Sequence, residues 1–188
     1  MKIIFLDIDG VLNCENAYKR RISHGFCQYV EFEDKNGEKD HYQSFYLPCK
    51  KLLNELIDET GAKIVISSSW RGSGLEWLKR VWELEGMSGE IIGITPHFRD
   101  SRFSVPRGCE IKAWLEEKGF RHIRWSREEL QKHIDDSGIE NYIIIDDDSD
   151  MLYGQRDHFV HVLPSPRNKN GFNKFYYKEA LKKLNTPL

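Results

Sequence analysis

Lys2-Ile3-Ile4-Phe5-Leu6-Asp7-Ile8-Asp9-Gly10-Val11-Leu12 decides how the rest of the chain is read. The apolar run has the makeup of a buried strand, and it ends on carboxylates separated by a single residue. In an open parallel sheet the carboxyl ends of the strands face the ligand crevice, and Gly10 lets the chain turn sharply just past the acids. Asp7 and Asp9 can therefore address one ligand.

Outward from this strand, helices and strands alternate. Leu52, Leu53, Leu56 and Ile57 form an amphipathic face that stops near Gly61, and Ile64-Val65-Ile66 follows as a buried strand. Leu75, Leu78, Val81 and Trp82 repeat the pattern, with Gly86 as the break and Ile91-Ile92-Gly93-Ile94 as the strand. A third pass sets Ile111, Trp114 and Leu115 on one helix face, Gly119 as stop and Tyr142-Ile143-Ile144-Ile145 as strand; Phe159-Val160-His161-Val162 reads as one more. Nearly continuous apolar strands between amphipathic helices imply an α/β fold, a doubly wound parallel sheet covered on both faces.

Two stretches interrupt the alternation. Residues 13–46 read as a small β-hairpin flap, with strands at 26–32 and 41–46 joined across Asn36-Gly37. Residues 121–138 hold a short helix starting near Ser126, where Ser-x-x-Glu has the form of a capping box.

A chain of 188 residues fits one domain, 1–188, with the flap as an insertion and no large cap. Its 39% hydrophobic and 31% charged residues describe a globular protein, and a net charge of −2 argues against a broadly basic nucleic-acid surface. No run approaches the roughly 20 apolar residues of a membrane span, and acidic residues come too early for a signal peptide, so a cytoplasmic location is expected. Cys14, Cys27, Cys49 and Cys109 form no Cys-x-x-Cys pair and read as reduced thiols.

Two further strand ends carry polar clusters. Ser67-Ser68-Ser69-Trp70-Arg71 follows the strand at 64–66, where hydroxyls can bind an anion or merely cap a turn. Asp146-Asp147-Asp148-Ser149-Asp150 follows the strand at 142–145, and so many carboxylates at a buried strand end repel one another unless a cation or protons offset the charge. Three strands ending in groups suited to a nucleophile, a phosphoryl group and a metal point to one site.

In this arrangement the chain resembles the haloacid dehalogenase superfamily of phosphotransferases, over residue 3 to about residue 150. Its first motif corresponds to Asp7-Ile8-Asp9-Gly10-Val11, its second to the serine run and its fourth to Asp146-Asp147. Within the superfamily, Ser-Ser-Trp-Arg, the stretch from Arg107 to Leu115 and the acidic run are most similar to the phosphatase-like domains associated with RNA-repair proteins. For the third motif, a basic residue at the start of the helix before the fourth, Arg107 is favoured over Lys112, which lies one turn further in.

The resemblance implies that Asp7 attacks phosphorus to give an aspartyl-phosphate, for which a carboxylate needs no prior deprotonation. Asp9, beside Asp7 in a buried setting, then acts as acid and base. Mg²⁺ is the implied cofactor, held by Asp7, the Asp9 backbone carbonyl and Asp146, with Asp147 as a further ligand and Asp150 at the spacing of another acid. Ser68 and Arg107 hold phosphoryl oxygens, with Ser67 and Ser69 left open; Gly10, Ser69 and Arg71 are candidate substrate contacts, Arg71 alternatively pairing with a carboxylate at the rim.

The implied reaction is Mg²⁺-dependent phosphomonoester hydrolysis, with a phosphorylated small molecule or a nucleic-acid terminal phosphate as substrate and no membrane partner. A phosphotransferase to a non-water acceptor would need a larger cap, and a catalytically silent phosphate- or RNA-binding module would have no use for both Asp7 and Asp9. His158 and His161 lack companion ligands and read as strand histidines. Lys19-Arg20-Arg21 and the basic stretch 121–127 are solvated loops or guides for a polyanion. Trp77, Trp82 and Trp114 read as core or boundary residues.

Overall fold

The structure is a computed structural model that describes residues 1–23, 29–33, 37–100, 103–120 and 127–187. In chain order its elements are β1 (Lys2–Leu6), α1 (Glu15–Ser23), β2 (Tyr29–Glu33), β3 (Lys39–Gln43), α2 (Leu47–Thr60), β4 (Lys63–Ile66), α3 (Leu75–Leu84), β5 (Ile91–Ile94), β6 (Arg99–Asp100), β7 (Phe103–Ser104), α4 (Arg107–Glu117), α5 (Arg127–Ser137), β8 (Asn141–Asp146), β9 (Phe159–His161) and α6 (Lys174–Asn185). The main sheet runs β5-β4-β1-β8-β9 and is parallel throughout, as the apolar strand sequences imply.

The period of two along β1 divides the core. Ile4 and Leu6 pack into a cluster with Leu53 and Leu56 of α2 and Ala180 of α6, whereas Ile3 and Phe5 face Ile111, Trp114 and Leu115 of α4. β8 does the same, with Ile143 and Ile145 on the first side and Tyr142 and Ile144 on the second. Each large side chain so buried contributes about 1.5–3 kcal/mol, and a one-residue slip of either strand would exchange the two faces. Helix α2 ends where expected: Gly61 adopts φ 65°, and its N–H donates to the Ile57 carbonyl at 2.8 Å.

The region 13–46 differs from a plain hairpin. It opens with α1, and only then do β2 and β3 pair, with Glu31 opposite His41. The expected strand residues 26–28 and the turn residue Asn36 lie outside the described residues, and residues 44–46 lead into α2 instead of extending β3. There the Tyr46 N–H donates to Leu12 O at 3.0 Å, tying the approach to α2 to the loop after β1. The hairpin leans on α3 through Phe32 and Tyr42, whose rings lie 6.1 and 6.3 Å from Trp77. The helix expected near Ser126 is α5, with Ser126 itself outside the described residues. No helix among the described residues is long and apolar enough to cross a membrane.

Candidate active site

Parallel register brings the polar strand ends to one level. Leu6 is paired with Ile66 on one side and with Ile145 on the other, so Asp7, Ser67 and Asp146 are the next residues of three adjacent strands. The ladder continues one step past the apolar runs, with Asp7 N–H donating to Ile145 O at 3.0 Å and Ser67 N–H donating to Leu6 O at 2.9 Å. Beyond Asp7, Gly10 turns back with φ 84°, and its N–H meets Asn13 O at 2.7 Å. A Cβ on Gly10 would lie 2.2–2.6 Å from the Asp147 carboxylate. The glycine thus serves both the turn and the close approach of the fourth-motif acid.

Asp7, Asp146 and Asp147 can each offer an oxygen within 4.8 Å of the others. Asp146 is fully buried, and its Oδ1 accepts from Asp148 N–H at 2.9 Å. Its Oδ2 is buried without a hydrogen bond and faces Arg107 Nε at 3.4 Å. Burial, followed by the charge of Asp7, pushes the Asp146 pKa up to about 8. Burial likewise raises Asp7 to about 6, against the pull of Arg107, and raises Asp147, with Asp148 adding to the effect. An acidic trio held this tightly, with one buried oxygen left over, fits a hard divalent cation bound by oxygen ligands.

Arg107 is the first residue of α4 and points back into this cluster. Its Nη1 donates to Asp7 Oδ1 at 2.7 Å and also to the Ser67 carbonyl. Burial works against the cation, but Asp146 and Asp7 outweigh it and raise the Arg107 pKa. Lys112 is exposed instead and lies 3.7 Å from Glu116 on its own helix. Asp150, matched by spacing to a further metal acid, accepts the Arg107 backbone N–H at 2.7 Å through Oδ2, and its carbonyl accepts the Gly108 N–H at 3.3 Å. It caps α4 and so holds the arginine in position.

The serine run divides by role. Ser67 and Ser68 are fully buried, whereas Ser69 is exposed. Ser68 Oγ accepts Trp70 N–H at 3.4 Å and begins a short 3₁₀ turn over Ser69–Ser73, while Ser67 Oγ accepts from Thr95 Oγ1 at 3.5 Å. Arg71 does not reach the rim: it is 7% exposed and pairs with Glu110 of α4 at 2.5 Å, donating also to Ser68 O at 2.9 Å. A guanidinium turned inward requires such a partner, and the sequence did not indicate that Glu110 would be it. The pair ties the serine turn to α4.

Asp9 also differs from expectation, being exposed where a buried setting was anticipated, because the chain turns outward at Gly10. Its Oδ2 accepts the indole N–H of Trp70 at 2.9 Å. Sequence reasoning gave Trp70 no place beside Asp9; the available signal was that an indole N–H in a half-buried position needs an acceptor. The two histidines pack at the sheet: His158, just before β9, stacks on Tyr142 with centroids 4.1 Å apart, and His161 Nε2, at the end of β9, lies 3.1 Å from the Asp147 carbonyl.

A family model described as the HAD domain in Swiss Army Knife RNA repair proteins matches residues 3–167. Comparison with curated proteins and with solved structures gave no match.

Proposed function

The chain belongs to the family of HAD domains in Swiss Army Knife RNA repair proteins, phosphatase-like in type, and from that premise we propose that it is a Mg²⁺-dependent phosphomonoesterase. The observation that carries the reading is the convergence of Asp7, Asp146 and Asp147, with Asp146 Oδ2 buried and lacking a hydrogen bond. Asp7, Asp146, Asp147 and the Asp9 carbonyl would hold the ion, which would supply positive charge to offset the carboxylates and to polarise a phosphoryl group.

Asp7 is the nucleophile. With its pKa near 6 it is largely ionised at neutral pH and needs no base to activate it. One of its oxygens bonds to phosphorus as the bond to the leaving alcohol breaks, and Asp9 gives its proton to the departing oxygen. Asp9 then takes a proton from water, which attacks the aspartyl-phosphate, releases inorganic phosphate and restores Asp7. The exposure of Asp9 suits both duties, since alcohol leaves and water enters on that side. Arg107 exchanges its contacts with Asp7 and Asp146 for phosphoryl oxygens, and the Ser68 hydroxyl donates to another, where transition-state charge is spread. Arg71 acts indirectly, holding the Ser68 carbonyl.

The substrate is a phosphorylated small molecule or a nucleic-acid terminal phosphate. The test is release of inorganic phosphate from an aryl phosphate with Mg²⁺, expected to stop in chelator and in Asp7→Asn. Undiminished turnover by Asp7→Asn would remove the nucleophile from the scheme. Binding of phosphorylated ligands with no turnover of any would identify a silent binding module instead.

A further inference from the structure

Trp70 joins two parts of the molecule. Its N–H holds Asp9, and its ring lines a cavity of about 340 Å³ between β3 and the Ser69–Ser73 turn with the start of α3. In the reaction proposed above, Asp9 protonates the departing oxygen. Whatever that oxygen carries has to lie beside Asp9, and this cavity adjoins it through Trp70.

The lining restricts what the cavity suits. Tyr29, His41, Trp70 and Trp77 supply rings, Gln43 and Ser69 supply an amide and a hydroxyl, and neither lysine nor arginine is among the described lining residues. The rings are held before any ligand arrives: Trp77 donates its N–H to Asp40 Oδ2 at 2.6 Å, and Tyr29 packs edge-on to His41 with centroids 5.3 Å apart at 76°. The packing of the hairpin itself accounts for Phe32 and Tyr42, both buried, but not for Tyr29, which is 56% exposed. With no fixed cation among its described lining residues, the cavity is poorly suited to a second phosphate. Flat faces beside hydrogen-bonding groups match a planar ring with a polar edge, the way unpaired bases are recognised.

We propose that this cavity is the leaving-group subsite and takes the nucleobase of a nucleoside-bearing phosphomonoester, stacked against Tyr29 and Trp70. The assignment rests on the phosphatase reading, and its test separates the two. With the full chain and Mg²⁺, kcat/KM is compared for nucleoside 3′- and 5′-monophosphates and for ribose 5-phosphate, a sugar phosphate without a base. Stacking predicts a preference of about tenfold or more for the base-bearing compounds, falling toward unity in Tyr29→Ala. In parallel, binding of the same compounds to Asp7→Asn with Mg²⁺ is followed by tryptophan fluorescence, which reads the subsite without turnover. Base-dependent binding, with no hydrolysis by the parent chain of any of these compounds or of the aryl phosphate, supports the subsite and refutes the phosphatase reading. Equal hydrolysis and equal binding with and without a base overturn the subsite and leave the phosphatase standing. Preference for a phosphotyrosine peptide over every nucleotide also overturns the nucleobase assignment.

Discussion

Replacing Asp146 by Asn should stabilise the metal-free protein, increasingly so as the pH rises. The native fold raises the Asp146 pKa from its ordinary 3.8 to about 8, mainly through burial. A carboxyl that holds its proton more tightly in the folded chain than in the unfolded one stabilises the fold fully below about pH 4, and that contribution is lost as the pH climbs toward 8. Each tenfold in proton affinity corresponds to about 1.4 kcal/mol, so the loss between about pH 5 and pH 8 is on the order of 4 kcal/mol. The attraction of Arg107 is already contained in the raised value, and Asn has the shape of the protonated acid without its titration. In chelator, urea unfolding of both chains should therefore give a variant about 1–2 kcal/mol more stable near pH 5 and more stable by several kcal/mol near pH 8. Saturating Mg²⁺ should raise the parent and leave the variant where it was. Stability curves that run parallel over this range, with no gap opening at high pH, would refute the reasoning that burial opposes the ionisation of Asp146 despite the nearby Arg107.

Trp70→Phe keeps a ring but removes the donor to Asp9; kcat for phosphate release should drop about tenfold, and the same change in an Asp9→Asn background should cost little more, as a double-mutant cycle would show. Additive losses would mean that Trp70 does not act through Asp9. Glu110→Ala leaves the buried guanidinium of Arg71 without its partner, so chemical denaturation should show a loss of about 3–5 kcal/mol. Gly10→Ala puts a methyl group onto the Asp147 carboxylate at a positive φ; calorimetric Mg²⁺ affinity should fall, together with about 1–2 kcal/mol of stability. Unchanged affinity there would separate Asp147 from the ion.

The strands that build the site were legible because each is an apolar run cut off by polar residues, and burial on both faces permits little else for 3–6, 64–66 and 142–145. Parallel register then brings the three polar ends together, a step that needs only the strand order. Helix α1 was not legible: of Glu15–Ser23 only Ala17 is buried among the side chains described, so no apolar stripe distinguishes it from a loop. Asp150 shows another limit. Spacing matched it to a further acid of the resembling family, but its hydrogen bond to the first residue of α4, 43 residues earlier in the chain, could be read only from the fold. Asp9 and Arg71 came out with their burial reversed, since local sequence does not tell which way a side chain leaves a turn.

The placement of β1 between β4 and β8 has a consequence for how the molecule is made. The strand that carries Asp7 leaves the ribosome before the other strands of its sheet, yet one of its edges stays unpaired until Asn141–Asp146 has been synthesised. Its backbone donors and acceptors, flanked by Ile3, Ile4 and Phe5, are through that interval an open template for a foreign strand. Nascent chains stalled before residue 141 should aggregate or recruit chaperones, and the long-range closure that brings the polar ends of β1, β4 and β8 together is expected to be the slow event in refolding.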